Sequence, residues 1–226
     1  MTQIITAIQE KGGTGKTTML CMLATFLAED GARVVIVDTD PLEAAADFAK
    51  HAAGDDSTID YMQERDENAF VKKVRGLAKG KAGTEYDVIL VDTAGIGSRT
   101  TDWAVQLADL VLVPVKPARA DVKGLLRSLK TVESVSELAG RDIPAFAVLS
   151  DVVKQAKITQ EVSAALAEKQ IPLFDACMYT RTGFREFMTG SGRLTGNARS
   201  VGREVLAEMQ IRGLLDYYGH PAMAAE

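Results

Sequence analysis

Short, mostly apolar runs alternate along this chain with longer segments in which apolar positions recur every three or four residues. Short runs of this kind are typical of strands buried on both faces, whereas the longer spacing predicts amphipathic helices. The predicted strands are Ile4–Ile8, Val34–Val37, Val88–Val91, Leu110–Val115 and Ala145–Leu149. The predicted helices are Lys16–Glu29, Ala44–Ala53, Glu67–Ala78, Asp121–Leu138, Thr159–Lys169 and, at the end, Asn197–Tyr218.

This alternation of strands and helices predicts an α/β fold. We expect a single domain built on a mostly parallel, twisted sheet with helices on both faces. Of the 226 residues, 46% are hydrophobic and 25% are charged, which are the proportions of a folded globular protein. The expected domain covers residues 1–218, and residues 219–226 are predicted to form a flexible tail.

Composition and charge exclude several classes of protein. The formal net charge of −5 excludes a uniformly basic surface, so a nucleic-acid site would have to be a local basic patch. The two cysteines, Cys21 and Cys177, lack metal-ligand spacing and indicate reduced thiols. No apolar run approaches the roughly 18 residues of a membrane span. We therefore expect a cytoplasmic protein without stable membrane association.

A glycine-rich segment lies where the first predicted strand ends and the first predicted helix begins. It reads Lys-Gly-Gly-Thr-Gly-Lys-Thr-Thr over residues 11–18. In this position, glycines turn backbone N–H groups toward phosphate oxygens, and the helix adds its positive N-terminal end. By the usual division of roles in such loops, Lys16 contacts the β- and γ-phosphates and the Thr17 hydroxyl ligates Mg²⁺. The predicted nucleotide-binding residues of this loop are Gly12, Gly13, Thr14, Gly15, Lys16, Thr17 and Thr18.

Carboxylates follow two further predicted strands, at the sheet edge where α/β folds bind ligands. Asp38 and Asp40 end the second run, in the order Val-Asp-Thr-Asp-Pro. Asp92 ends the third run and is followed by Thr-Ala-Gly95, similar to a Walker B strand that leads into a switch loop. We predict that Asp92 holds Mg²⁺ through water and that Gly95 turns its N–H toward the γ-phosphate. Helix capping or turn formation is the alternative role for Asp38 and Asp40.

The phosphate loop departs from the plain G-x-x-x-x-G-K-[ST] pattern, because Glu10 stands where a glycine is expected and Lys11 follows it. The segment resembles the deviant Walker A motif of the ParA/MinD superfamily, in which a second lysine precedes the glycines. This resemblance implies ATP as the nucleotide and a homodimer in which Lys11 reaches the phosphates bound by the other copy. It also implies that Asp40 orients the attacking water and Asp38 supports the Mg²⁺ shell. The predicted catalytic residues are therefore Lys11, Lys16 and Asp40, with an ordinary surface lysine as the alternative for Lys11.

The resemblance covers nearly the whole chain and also implies sites for the base and for DNA. Family members read adenine with the loop after a late strand, which here contains Ser150 and Asp151. Partition ATPases carry DNA-contacting basic residues near a late arginine-and-aromatic segment. The predicted DNA contacts are Arg181, Arg185, Arg199 and Arg203. A solvated arginine face, with intrahelical pairs to Glu204 or Glu208, is the alternative.

The function that follows from the resemblance is that of a small ParA-like ATPase. Its ATP-bound sandwich dimer would hold DNA nonspecifically at the nucleoid, and a ParB-like or other adaptor would stimulate weak hydrolysis and release. The cargo would be a plasmid, a chromosome or a protein cluster. Three alternatives stay open: a MinD-like membrane-surface ATPase, a VirC1-like DNA-transfer factor and a P-loop biosynthetic ligase. The acidic last residue, Glu226, argues against the first alternative, and Lys11 argues against the third.

Overall fold

The computed structural model describes residues 2–41, 43–52, 59–80, 83–153, 156–179, 182–189 and 194–216, so the predicted tail at 219–226 lies outside it. No helix among these residues has both the length and the apolar character that crossing a membrane requires. The strands are β1 (Gln3–Ala7), β2 (Val34–Asp38), β3 (Ile59–Gln63), β4 (Val88–Asp92), β5 (Leu110–Val115) and β6 (Ala145–Leu149). The helices are α1 (Lys16–Glu29), α2 (Ala44–Ala52), α3 (Glu67–Ala78), α4 (Arg99–Leu107), α5 (Arg119–Ala139), α6 (Lys157–Glu168), α7 (Thr182–Thr189) and α8 (Gly196–Ile211).

The six strands form one parallel sheet in the order β3-β2-β4-β1-β5-β6. Strand β1 is central, with β4 on one side and β5 on the other. In open sheets of this kind, ligands bind beyond the carboxyl ends of the strands, where the direction of winding changes. The predicted α/β fold with a parallel sheet is confirmed, and its central strand is the one that leads into the glycine-rich loop.

Helices cover both faces of the sheet because successive side chains of a buried strand point to opposite sides. On one side, Ile5, Ile36 and Leu90 share a core with residues of α1, α2, α7 and α8. On the other side, Val35 and Ile89 pack with residues of α3 and α4, while β5 and β6 pack with residues of α5 and α6. The helix that follows the glycine-rich loop, α1, is therefore anchored in the larger core.

The hydrophobic pattern does not predict three of these elements: β3, α4 and α7. Strand β3 lies at the sheet edge, and its side chains are half-buried or exposed, so it has no continuous apolar run. Helix α4 buries mainly small or polar residues, among them Thr100, Thr101 and Ala104. Helix α7 is only eight residues long, which is too short for a helical period to stand out.

The last helix ends earlier than the apolar spacing predicts, well before Tyr218. A glycine at positive φ stops it, since Gly213 has a φ of 66°. The N–H of Gly213 bonds to the carbonyl of Gln210 at 3.0 Å, and the N–H of Leu214 bonds to that of Met209 at 2.8 Å. These two bonds form a Schellman motif, which satisfies the last carbonyls of a helix and reverses the chain.

Helices α1 and α8 approach each other most closely at Gly202. A Cβ atom added to Gly202 would lie 2.4 Å from a ring carbon of Phe26 and 2.8 Å from the sulfur of Met22. Both neighbours are fully buried, so neither has free space to move into. We expect Gly202→Ala to lower the free energy of unfolding by about 1–3 kcal/mol, although alanine favours helix more than glycine does. Urea unfolding followed by circular dichroism measures this difference.

Gly76→Ala is the matched control for that variant. Gly76 also lies inside a helix, α3, but an added Cβ would meet no atom within 4 Å outside its own helix backbone. Only the backbone entropy of the unfolded chain then changes, and we expect a stabilisation of about 0.5–1 kcal/mol. If both variants changed stability by the same amount, the close approach of α1 and α8 would not be the cause.

Candidate nucleotide-binding site

The glycine-rich loop joins β1 to α1 at the carboxyl edge of the sheet. Gly13 and Gly15 have φ values of 71° and 98°, a region that side-chain-bearing residues avoid. Gly15 is also the N-cap of α1 and is followed directly by Lys16. The loop therefore presents backbone N–H groups and the positive end of α1 at one place, which is the arrangement that binds phosphate.

Lys16 is the cation of this loop. Its side chain is buried, with 7% of the residue exposed. Burial lowers the pKa of its ammonium group, and the nearby charges of Asp92 and Asp40 act in the opposite direction. A buried lysine that faces two carboxylates is held in place as a point charge for an anion that enters from the loop side.

Thr17 and Asp92 lie together, as the sequence predicts for a magnesium site. The Thr17 hydroxyl donates a 2.6 Å hydrogen bond to Oδ2 of Asp92. The other oxygen of Asp92, Oδ1, is buried and has no hydrogen-bond partner among the described residues. Burial, and then the charge of Asp38, raises the pKa of Asp92 to about 7. A buried carboxylate with one oxygen unsatisfied fits a divalent cation, which would stabilise its charged form.

The oxygen atoms at this site suit Mg²⁺ rather than a transition metal. No cluster of three His, Cys, Asp or Glu side chains occurs in the described part of the chain. Mg²⁺ does not need one, because it commonly uses one or two protein oxygens, together with phosphate oxygens and water. Thr17 and Asp92 could provide the protein oxygens, with Asp38 beside them.

Asp38 is the last residue of β2, and Asp40 lies in the turn that follows it. Asp38 is completely buried and is paired with Asp92 across the two strands. Its Oδ1 accepts the backbone N–H of Asp40 at 2.8 Å, and burial raises the pKa of its carboxyl group. The hydroxyl of Tyr61, on edge strand β3, lies 3.4 Å from Oδ2 of Asp38. The capping role and the nucleotide role of Asp38 are therefore compatible, because one oxygen orders the turn that carries Asp40.

Gly95 lies in the loop between β4 and α4, as predicted for a switch. Its φ is 145°, and an added Cβ would lie 3.5 Å from the carbonyl of Glu10. Its own carbonyl accepts a hydrogen bond from the Thr101 hydroxyl at the start of α4. This loop therefore lies against Glu10, the residue that precedes the phosphate loop. A movement of either loop would displace the other.

A cleft of about 210 Å³ opens beside the phosphate loop, at the ends of β5 and β6. The Ser150 hydroxyl donates a 2.6 Å hydrogen bond to the carbonyl of Thr14, so this side chain fixes the loop. Asp151 forms an ion pair with Lys116 at 3.0 Å. Arg185, predicted to contact DNA, also lines this cleft. The other residues around the cleft are Gly13, Gly15, Thr18, Met178, Tyr179 and Phe184.

Lys11 does not point into the pocket of its own chain in the way that Lys16 does. Its ammonium group lies 2.9 Å from Oδ2 of Asp121, in the first turn of α5. The side chain of Lys11 is 52% exposed, whereas that of Asp121 is 3% exposed. The other oxygen of Asp121 is buried and unpaired among the described residues. Asp121 is a site residue that the sequence did not indicate, because it lies 110 positions away from Lys11.

Arg199 and Arg203, the other predicted DNA contacts within the described residues, are held by acids of α1. Arg199 forms two hydrogen bonds of 2.7 Å with the carboxylate of Glu29. Arg203 bonds to Asp30 at 2.7 Å and to Glu29 at 2.8 Å. Both guanidinium groups also lie over the Phe26 ring. These arginines therefore join α8 to the end of α1, and their contact with DNA stays a prediction. The fourth predicted DNA contact, Arg181, lies outside the described residues.

Comparison with known proteins gives relatives over most of the chain. Protein ParA of Rhizobium radiobacter is 28% identical over 194 residues, which are 84% of this chain and 84% of that protein. The structure of apo McdA from Cyanothece superimposes with a TM-score of 0.75 at 16% identity, over 92% of this chain and 100% of the other. A plasmid partition protein of Borrelia burgdorferi B31, bound to AMPPNP, has a TM-score of 0.71 at 16% identity, over 94% and 100%.

At 16% identity, the likeness to these two structures shows only the fold. The family of the chain is identified by a family model. The model of the VirC1 protein family matches residues 2–216, nearly the full length. The match includes the glycine-rich loop with its extra lysine and the strands that carry Asp38 and Asp92. The chain therefore belongs to the VirC1 family, within the ParA/MinD superfamily of P-loop ATPases that partition or position cargo.

Proposed function

We propose that this chain is an ATP-driven switch for DNA-based partition or positioning. In the proposed cycle, Mg-ATP closes two copies into a sandwich dimer, the dimer holds DNA nonspecifically, and hydrolysis separates the copies. The reaction is slow until DNA and a ParB-like or other adaptor stimulate it. This cycle would place the protein in the cytoplasm at the nucleoid. The family membership supports the ATPase. The likeness to protein ParA of Rhizobium radiobacter and to a plasmid partition protein of Borrelia burgdorferi supports partition.

The single observation that carries the dimer is the position of Lys11. The pocket already contains a buried cation, Lys16, beside Asp92 and Asp40. Lys11 is half-exposed and is held by Asp121 of α5 instead. A cation that is ordered beside the phosphate loop, but is not used by it, is available to a second copy. In the transition state of phosphoryl transfer, such a cation supplied in trans stabilises the developing charge.

The other site residues take roles that their positions support. The N–H groups of Gly13, Gly15 and their neighbours cradle the phosphates, while Lys16 neutralises the β- and γ-oxygens. Thr17 and Asp92 hold Mg²⁺, which supplies charge neutralisation of the phosphates when it is bound. The carboxylate of Asp40 orients the attacking water. The loop at Gly95 responds to the presence of the γ-phosphate, since it lies against the start of the phosphate loop.

The base would occupy the cleft beside Ser150 and Asp151. This placement brings Arg185 beside the nucleotide, because Arg185 lines the same cleft as Ser150 and Asp151. The ion pair between Lys116 and Asp151 also belongs to the lining of the cleft. Adenine recognition by this cleft rests on the family resemblance.

Asp40→Ala tests the switch. Without a carboxylate to orient water, turnover of ATP should fall about 100-fold or more, while ATP still binds through Lys16 and Thr17. The variant should therefore accumulate as an ATP-bound dimer that remains on DNA. Size-exclusion chromatography with light scattering measures the mass, and retention on a DNA-coated surface measures the complex.

Asp142→Ala provides the control for that experiment. Asp142 is an exposed acid that precedes β6, at the opposite edge of the sheet from the nucleotide site. Its loss removes the same charge and should leave turnover and mass unchanged. Ordinary turnover in Asp40→Ala would show that another group orients the water. If both variants and the wild type stayed monomeric with ATP, the proposed sandwich dimer would be wrong.

A further inference from the structure

The solvent-facing side of α5 carries an uninterrupted cationic stripe, which we define as Arg119, Lys123, Arg127 and Lys130. These residues follow one another at intervals of four, four and three, so they share one face of the helix. The opposite face contains the buried residues of α5. All four side chains of the stripe are exposed. Only one acid, Asp121, lies in this half of α5, and it is buried.

Three of these four charges are not used inside the described part of the molecule. Arg127 forms an ion pair with Glu10 at 2.7 Å. Arg119, Lys123 and Lys130 form no ion pair with any described residue. This distinguishes the stripe from Arg199 and Arg203, whose charges are neutralised by Glu29 and Asp30.

The arrangement of charge on α5 is the reverse of what stabilises a helix. Cations are favoured near the C-terminus of a helix and acids near its N-terminus, by about 0.3–1 kcal/mol each. In α5 the exposed cations lie in the N-terminal half, and the exposed acids Glu133 and Glu137 lie in the C-terminal half. Like charges four residues apart, such as Arg119 and Lys123, also repel each other. Residues that break local stability rules without an internal partner are expected at functional surfaces.

Helix α3 shows the contrast within the same protein. It begins with Asp66 as its N-cap and Glu67 in its first turn, and its cations lie toward its C-terminal end. Helix stability alone therefore explains the charges of α3. Helix stability does not explain the stripe on α5, whose exposed charges are open to an external anion.

We propose that the stripe on α5 is a surface for the phosphate backbone of duplex DNA; this proposal deepens the proposed function and rests on it. The stripe extends over about 17 Å along the helix axis, a length in which each DNA strand presents about five phosphates. Leu126 is the exposed apolar side chain beside the cations, at 39% exposure. One such side chain is too little for insertion into a lipid interface, so charge complementarity favours DNA over a membrane.

Helix α5 is also bonded to the first residue of the phosphate loop and to the two residues before it. Asp121 holds Lys11, Arg127 holds Glu10, and the Ser128 hydroxyl lies 3.2 Å from the side-chain oxygen of Gln9. Release of Lys11 toward a second copy would remove one of these three connections. The DNA surface and the nucleotide site therefore share one rigid helix, which gives a direct route for ATP to control DNA binding.

The test removes the three unpaired cations together, with Arg119→Gln, Lys123→Gln and Lys130→Gln in one chain. Binding of a nonspecific duplex is measured by fluorescence anisotropy with Mg²⁺ and a slowly hydrolysed ATP analogue, over a series of salt concentrations. We expect at least a tenfold loss of affinity. We also expect the slope of log affinity against log salt to fall by about 2.7 for each protomer in contact, because three phosphate contacts are lost.

A variant of α3 is the matched control: Lys72→Gln, Arg75→Gln and Lys79→Gln. It also removes one arginine and two lysines that are exposed and form no ion pair with a described residue, so the net charge changes equally. Its affinity for DNA should stay within about threefold of the wild type. The slope of log affinity against log salt should change by less than the amount that one phosphate contact contributes. Binding of the ATP analogue is measured for both variants and should not change. The melting temperature should rise slightly for the α5 variant and fall slightly for the α3 variant, because the first loses cations that oppose the helix dipole and the second loses cations that support it.

The possible outcomes separate the proposals. If the wild type retains DNA and the α5 variant retains it equally, or if the α3 variant loses as much, the stripe is not the DNA surface, although the proposed function stands. If the wild type with the ATP analogue does not bind DNA, the DNA part of the proposed function fails and the inference fails with it. If the wild type binds vesicles of anionic lipid instead, and the α5 variant does not, the stripe is a membrane surface and the assignment to DNA is overturned.

Discussion

Lys16→Ala should bind Mg-ATP about 100-fold more weakly than the wild-type chain, or not at all. Lys16 is the buried cation at the start of α1, and it faces the charges of Asp92 and Asp40. Removing one member of a buried charge pair costs about 2–5 kcal/mol, because the partner charge is left without compensation. Two effects weaken binding in this variant. The triphosphate loses its contact with the ammonium group, and the uncompensated charges of Asp92 and Asp40 repel the triphosphate. Isothermal titration with a slowly hydrolysed ATP analogue measures the affinity.

Lys11→Ala is the matched control for nucleotide binding. It removes a lysine from the same loop, but one that is held by Asp121 outside the pocket. A single copy of Lys11→Ala should therefore bind the analogue within about threefold of wild type, because the lost ammonium group does not line the pocket of its own copy. If Lys16→Ala also stayed within threefold, the phosphate loop would not be the triphosphate site.

The central part of the site could be predicted from the sequence because its residues come from continuous segments. A glycine-rich loop between an apolar strand and a helix fixes the relative position of Gly15, Lys16 and Thr17. The acids at the ends of β2 and β4 follow short apolar runs that are typical of buried parallel strands. Parallel strands bring their carboxyl ends to one edge, so Asp38 and Asp92 lie side by side.

Contacts between distant parts of the chain could not be predicted in the same way. Lys11 and Asp121 are 110 positions apart, and no local pattern shows that the start of α5 lies beside the phosphate loop. Arg203 pairs with Asp30, 173 positions away, rather than with Glu204 or Glu208 on its own helix. The charge of Arg203 is therefore neutralised in the contact between α8 and the end of α1. A cluster of arginines in a sequence gives charge, but only the fold shows which charges are neutralised.

Strand β3 and the cleft show a second reason for incomplete prediction. Edge strand β3 has half-buried or exposed side chains, and Asp60 separates Ile59 from Tyr61, so no continuous apolar run marks the strand. Tyr61 then supplies a hydroxyl to Asp38 that no motif indicates. Ser150 was predicted to line the base site, and it does line the cleft, but its hydroxyl bonds to the loop carbonyl of Thr14. The residue type indicated a polar contact, and the packing decided its partner.

Lys11→Ala should bind ATP and yet lose hydrolysis by about 1000-fold, the range measured when a cation supplied in trans is removed from a phosphoryl-transfer site. Lys11 is ordered by Asp121 at 2.9 Å, and its side chain is half-exposed, so its ammonium group is accessible to a second copy. With alanine at this position, two ATP-loaded copies would face each other without the cation that joins them. The expected mass by light scattering is therefore that of a monomer at a saturating concentration of nucleotide.

Mixing Lys11→Ala with Lys16→Ala determines whether the lysine acts within its own copy or across the dimer. The first variant binds ATP but has no lysine to donate, and the second has the lysine but binds no ATP. In a hybrid dimer, Lys11 of the second variant can complete the one loaded site of the first. An equal mixture should then recover up to about half of the wild-type activity, because neither variant forms an ATP-bound dimer with itself and each hybrid has one competent site of two. If the mixture at high protein concentration stayed as inactive as its components, Lys11 would act within its own copy, and the exposed position beside Asp121 would need another explanation.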